Sequence, residues 1–252
     1  MILNEIDQHI FSYCDECTKI ILAITYPEKF TIDTKPLCSF AALNNHLNIL
    51  IWARQNNYDW DPTVCNYAAK NGNLEMLIWA KENGCKYDTE IGYNAAKYGK
   101  LEVLKWAKLN KCTSPYICAN AAEGDQLEIL IWARQNGYKW DSSICSIAAK
   151  HGHFELLKWA RENGCPMSLF VCSNAAKYGY LEILKWARAN KCEWNEWVCS
   201  DAALNGHLEI IQWAREHGCH WTAEVCRHGH NHTNIDEWLK KNGCPCGNIL
   251  NF

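Results

Sequence analysis

"TVCNYAAKNGNLEMLIWAKENGC", residues 63–85, decides the fold, because it returns with its spacing intact as "SICSIAAKHGHFELLKWARENGC" at 143–165 and "WVCSDAALNGHLEIIQWAREHGC" at 197–219. Tryptophan measures the period. Trp52, Trp79, Trp106, Trp132, Trp159, Trp186, Trp213 and Trp238 are separated by 27, 27, 26, 27, 27, 27 and 25 residues. Self-similarity at this period is the mark of a repeat protein, in which each unit buries its apolar face against its neighbours.

Each copy reads as two helical halves joined by a glycine. Val64, Cys65, Ala68 and Ala69 fall on one face at helical spacing, and Thr63, Asn66, Tyr67 and Lys70 on the other. Gly72 then suits a left-handed helix end. The second half begins with an acid and ends with a base, as in Glu75 and Lys81, Glu102 and Lys108, Glu128 and Arg134, and Glu209 and Arg215. That order complements the helix dipole at both ends. Gly84, Gly137, Gly164 and Gly218 close it. Four residues before the recurrent cysteine position stand Thr34, Asp61, Asp88, Ser114, Asp141, Ser168, Asn195 and Thr222, all helix N-cap residue types. The missing residue of the 26-residue interval falls just before Ser114, in a loop, where its loss rotates no buried face.

Composition narrows the function classes. Lys+Arg 25 against Asp+Glu 28 leaves a formal charge of -3, with no basic surplus to announce nucleic acid or an anionic membrane. The first basic residue is Lys19, and Asp15 and Glu16 break the early apolar run, which is not a signal-peptide pattern. The longest apolar run, Ile20 to Ile24, is far too short to span a bilayer. With 16 cysteines in all, the expectation is a reducing, cytoplasmic compartment in which most are thiols.

The unit's core resembles the ankyrin repeat in its helix-turn-helix portion "AAxxGHLEVLxxxxxxGA", here "AAKNGNLEMLIWAKENGC", "AAKHGHFELLKWARENGC" and "AALNGHLEIIQWAREHGC". The period is 27 rather than 33, so the family's hairpin finger is cut to a short capped loop such as "CKYDTE". Trp-Ala-Lys/Arg stands where the family carries leucines. The array thereby looks like the short, tryptophan-rich ankyrin-like proteins of giant DNA viruses, which would place it in host cytoplasm. The resemblance implies an all-α solenoid, with seven ankyrin-like repeats over 34–221 and a degenerate capping repeat over 222–252.

Residues 1–33 do not fit the repeat. "LNEIDQHIFSYCDECTKIILAITYPEKF" resembles the front of an F-box through Leu3, Glu5, Ile6, Ile10, Phe11, Ser12, Tyr13, Leu22 and Phe30, with Asn4 and Cys14 departing from the pattern. That implies a surface for the Skp-type adaptor of cullin-RING ubiquitin ligases, carried by Leu3, Ile6, Ile10, Phe11 and Tyr13. The alternative is an amphipathic helix pair capping the open end of the array.

The chemical candidates mostly have structural readings. One cysteine series is Cys38, Cys65, Cys118, Cys145, Cys172, Cys199 and Cys226; the other is Cys85, Cys112, Cys165, Cys192, Cys219 and Cys244. Gly92, Tyr58 and Tyr138 replace single members without their neighbours changing, so small buried thiols are expected rather than disulfides. Cys14 and Cys17 form a lone CxxC without a second pair. The tryptophans of the Trp-Ala-Lys/Arg register read as inter-repeat core. Trp60, Tyr87, Trp140, Met167, Trp194 and Trp221, just before the caps, read as staples on the first-turn cysteine. Cys226, His228, His230, His232, Cys244 and Cys246 have zinc-ligand chemistry but no standard finger spacing, and a polar terminal cap is the competing reading.

No Ser/His/Asp grouping, phosphate loop or paired-carboxylate motif stands outside the repeat, so no enzyme and no cofactor are expected. The first-helix face varies while the core does not. Phe40, Tyr67, Asn94, Asn120, Ile147, Asn174 and Asp201 lie two residues past the cysteine position, and Lys70, Lys97, Lys150 and Lys177 end the helices beside Tyr98, His151 and Tyr178. This mixture suits a protein partner. The rival reading is nucleic acid held by the lysines and loop aromatics.

Overall fold

A computed structural model describes residues 37–244, and they are helical throughout. The chain divides into two compact units, Met1–Tyr87 and Asp88–Phe252. The described part of the first holds α1 (Leu37–Leu43), α2 (Leu47–Gln55), α3 (Thr63–Asn71) and α4 (Leu74–Glu82). In the second are α5 (Glu90–Lys97), α6 (Leu101–Leu109), α7 (Ile117–Glu123), α8 (Leu127–Gln135), α9 (Ser143–His151), α10 (Phe154–Glu162), α11 (Phe170–Lys177) and α12 (Leu181–Ala189). They are followed by α13 (Trp197–Leu204), α14 (Leu208–Glu216), α15 (Ala223–Gly229) and α16 (Thr233–Lys241).

Odd and even helices form antiparallel hairpins, and the odd helices stack on one another: α1 on α3 in the first unit, and α5, α7, α9, α11, α13 and α15 in turn in the second. Small residues make this close stacking possible. Ala68 and Ala69, Ala95 and Ala96, Ala121 and Ala122, and Ala148 and Ala149 are all 0 % exposed; with side chains this short at the contact, neighbouring axes can approach closely. The even helices fill the remaining core with Met76, Leu77 and Ala80 in α4 and with Leu156, Leu157 and Ala160 in α10.

The helix starts follow the cap positions. The carboxylates of Asp61, Asp88 and Asp141 accept from the N–H two residues on at 2.8 Å, and Ser114 and Asn195 do so at 3.2 Å. Each satisfies a donor that the first helical turn leaves open. Ser168 differs, pairing its hydroxyl with that of Ser146 at 3.0 Å, and Thr222 makes no side-chain cap bond. Acid-first, base-last order holds in α4, α6, α8, α10, α12 and α14. The missing residue before Ser114 leaves Ile117, Cys118, Ala121 and Ala122 buried in register.

Two kinds of glycine turn appear. Gly152, φ +78°, ends α9, and a Cβ there would lie 2.6 Å from the Tyr180 ring of the next hairpin. Gly164, φ +84°, follows α10 with nothing within 4 Å of a Cβ.

The tryptophans correct the core reading. Those of the Trp-Ala-Lys/Arg register are half-buried, and the following alanines, Ala53, Ala80, Ala107, Ala133, Ala160, Ala187 and Ala214, take the deep positions. The indoles instead meet the loop aromatics. Trp60 packs edge-on against Trp79 at 5.7 Å, Trp140 against Trp159 at 5.8 Å and Trp194 against Trp213 at 5.8 Å, while Trp221 tilts against Trp238 at 5.5 Å. Arg54, Arg134, Arg188 and Arg215 cover Trp60, Trp140, Trp194 and Trp221 at 4.3–4.8 Å. These aromatics therefore brace the second helix, and cation–π attraction adds to ring packing.

Candidate recognition surface

The odd helices present their open side through two kinds of position. From Thr63 to Glu224 the residue two before each cysteine position is exposed, and in the second unit three of these are aromatic: Tyr116, just before α7, is 70 % exposed, Phe170 of α11 is 53 % and Trp197 of α13 is 51 %. The matching residues Thr63, Glu90 and Ser143 are polar. Large exposed aromatics spaced along stacked helices are the residue types that anchor protein interfaces. Their sequence signal is an apolar residue at a cap-proximal position that other repeats keep polar.

The positions two residues past the cysteine lie deeper than a contact surface requires. Phe40, Tyr67, Asn94, Ile147, Asn174 and Asp201 are half-buried. Asn120 is buried at 8 %, which removes it from the surface, since the close α5–α7–α9 stacking covers it. Asn174 donates to the Ser146 carbonyl at 2.9 Å and Asn94 to the Glu90 carbonyl at 2.9 Å. Burial also holds the Asp201 carboxyl above its ordinary range.

At the helix ends, Tyr98 and Tyr178 are exposed, as are Lys150 and Lys177, and the Lys177 ammonium lies 5.8 Å from the Tyr178 ring centre. Lys70 and His151 are half-buried. Lys97 is engaged within the protein: it donates to Glu123 of the next hairpin at 2.8 Å and to the Tyr93 hydroxyl at 3.0 Å. The Lys97 hydrogen bond holds Glu123 below the ordinary carboxylate range, and Glu123 and Tyr93 together raise Lys97. Beside them the His151 ring stacks on His153, 5.7 Å between centres. Burial, followed by Lys150 and His153, lowers the His151 pKa from 6.5. His153 is itself fixed by donating from Nε2 to the Glu123 carbonyl at 3.2 Å.

The C-terminal Cys/His group does not converge. His228 Nδ1 faces the Ser200 carbonyl at 3.3 Å, His230 pairs with Asp236, and His232 donates to the Leu204 carbonyl at 3.2 Å. The alternate residues cross the end of α15 and the turn beyond it, so their rings diverge. Among the described residues no three His, Cys, Asp or Glu side chains gather as a metal site, and Cys246 lies outside those residues. Cys226 and Cys244 are joined as a disulfide with Cα atoms 6.6 Å apart, correcting the expectation that both are thiols. The reason is spatial: the two cysteine positions face each other across the hairpin, and here both hold cysteine. The F-box-like residues Leu3, Ile6, Ile10, Phe11 and Tyr13 also fall outside the described residues. No described helix is long and apolar enough to cross a membrane.

No family model matches the chain, and no curated protein matches it. Among solved structures, the human ASB11 ankyrin repeat domain is similar, with a TM-score of 0.55 and 15 % sequence identity over 70 % of this chain and 96 % of that one. At that identity the likeness speaks for the fold, and the fold of residues 37–244 is an ankyrin-like array of paired helices.

Proposed function

We propose that this chain is a non-catalytic protein-binding scaffold whose partner lies along the odd-helix face of the second unit. The observation carrying this reading is the exposed row of Tyr116, Phe170 and Trp197 on a stacked, pre-ordered array. Because the helices are already held by their neighbours, a partner gains contacts with little ordering cost. Tyr98, Tyr178, Lys150 and Lys177 extend the same face, and the Lys97–Glu123 pair gives it fixed local polarity. The test is affinity capture with wild type and with a Tyr116→Ser, Phe170→Ser, Trp197→Ser variant of matched melting temperature. Loss of captured proteins from the folded variant supports the face; undiminished capture sinks it.

A more specific reading makes the chain a ligase substrate adaptor, resting on the "EIDQHIFSY" match at residues 5–13. Calorimetry of full-length protein and of a variant lacking residues 1–30 against a Skp-type adaptor separates it from a simple cap. The nucleic-acid alternative has less support, because Lys97 is already paired with Glu123; steep loss of binding with added salt would favour it.

A further inference from the structure

Two cysteines meet in each of four hairpins. In α3–α4 they are Cys65 and Cys85, in α9–α10 Cys145 and Cys165, in α11–α12 Cys172 and Cys192, and in α13–α14 Cys199 and Cys219. The first of each pair sits in the opening turn of the odd helix and the second in the loop after the even helix. Their side chains are within hydrogen-bonding contact. The loop thiol also faces the carbonyl of the cap residue, at 3.5 Å for Cys85 to Asp61, 3.2 Å for Cys165 to Asp141, 3.3 Å for Cys192 to Ser168 and 3.7 Å for Cys219 to Asn195. In the last hairpin the equivalent residues, Cys226 and Cys244, are covalently joined.

We infer that these four dithiols are sites of reversible oxidation by a small-molecule disulfide such as oxidised glutathione, each closing into a cross-link within its own hairpin. The geometry supplies an order of events. Both cysteines of each pair are buried, but the loop cysteine adjoins exposed chain, at Lys86, Pro166, Glu193 and His220, whereas the helix cysteine lies within the opening turn of its helix. Opening of the loop therefore presents Cys85, Cys165, Cys192 or Cys219 first. Hydrogen bonding from the helix cysteine also holds the loop thiol below its ordinary range. The guanidinium of Arg188 donates to the Cys192 carbonyl at 2.6 Å and that of Arg215 to the Cys219 carbonyl at 3.1 Å, placing positive charge beside two of these thiols.

In the first exchange the loop thiolate attacks one sulfur of oxidised glutathione. A protein–glutathione disulfide forms, the glutathione S–S bond breaks, and the departing glutathione takes up the proton that the loop thiol lost. The helix cysteine then attacks the loop sulfur, breaking the mixed disulfide and releasing the second glutathione with the helix thiol's proton. Two protein thiols are oxidised and one glutathione disulfide is reduced to two thiols.

Not every hairpin can respond. Tyr58 and Tyr138 stand in the loop position opposite Cys38 and Cys118, whose thiols donate to the tyrosine carbonyls at 3.8 and 3.9 Å. Burial pushes both thiols up to about 11. The array thus combines hairpins that can close with hairpins that cannot.

The test treats reduced full-length protein with oxidised glutathione, alkylates the remaining thiols after denaturation and maps the peptides by mass. The expected result is links 65–85, 145–165, 172–192 and 199–219, each lighter by about 2 Da for two lost hydrogens, with Cys38 and Cys118 alkylated. Scrambled links among the eight cysteines, lasting glutathione adducts on the loop positions, or full alkylation of all eight would overturn the inference. A Tyr138→Cys variant tests the geometry by gain: it should add a 118–138 link under the same treatment. A folded variant without that link, as judged by its circular dichroism, overturns the claim that position alone governs closure.

Discussion

The two sides of each hairpin follow different rules. On the even-helix side one arrangement recurs, an arginine over a loop indole packed on a second indole, at Arg54–Trp60–Trp79, Arg134–Trp140–Trp159, Arg188–Trp194–Trp213 and Arg215–Trp221–Trp238. On the odd-helix side the matching exposed position holds Thr63, Glu90, Tyr116, Ser143, Phe170 and Trp197 in succession. Chemistry that recurs from unit to unit, as this arrangement does in four of them, serves the stacking of units, a task that units share. Chemistry that changes from unit to unit is released from that task and is where a partner can be read.

Breaking the recurrent side should have the largest effect. Trp159→Ala removes the edge-on contact with Trp140 and uncovers the region beside Ala160. It should lower stability by about 3 kcal/mol in urea unfolding, at the low end for an aromatic truncation because the ring is half-buried. Gly152→Ala comes next, at about 2 kcal/mol, since it combines an unfavourable left-handed backbone with collision against Tyr180. Gly164→Ala keeps only the backbone penalty and should cost about 1 kcal/mol. Equal losses at the two glycines would show that the neighbouring hairpin yields to the added methyl.

A smaller effect is expected from pH. The His151 pKa is lowered by burial, so above 6.5 the ring is neutral folded or unfolded. As pH falls below 6.5 the unfolded chain takes up the proton first, and stability declines until the folded ring also protonates. A His151→Gln variant should lose this part of the decline in melting scans taken across that range. Glu123 acts lower: its depressed pKa contributes stability above 4.5 that disappears as pH falls through the folded value. The least stability change, under about 0.5 kcal/mol, is expected for Trp197→Ser on the exposed face, although partner capture should fall. A large stability loss there would move Trp197 from the variable side of the comparison to the structural one.

Much of the stacking side is legible in the sequence. Trp spacing sets the unit, paired alanines and cysteines mark the buried strip, and Asp61, Asp88 and Asp141 mark helix starts that the hydrogen bonds bear out. Periodicity cannot decide which half of an indole faces inward, because a large ring carries both packing and exposed surface. For that reason the tryptophans read as core while their alanine neighbours take the deep positions. Pairing within and between hairpins is also hidden. Lys97 and Glu123 are 26 residues apart, and Cys65 and Cys85 meet only when two helices fold back on one another. The aromatic row at Tyr116, Phe170 and Trp197 is visible once the units are aligned, but only exposure separates it from core.

The meeting of Gly152 and Tyr180 has a consequence for how such an array can grow. The glycine ends one helix, and the ring that fills its missing side chain stands in the turn of the next hairpin, at the start of its second helix, 28 positions further along the chain. A duplication that begins and ends at unit boundaries therefore creates a new junction between residues with no shared history. Lengthening the gene is tolerated only where the incoming turn residue fits the outgoing glycine. Lineages of such proteins should accordingly show paired changes straddling unit borders, with each hairpin inheriting half of its fit from the one before.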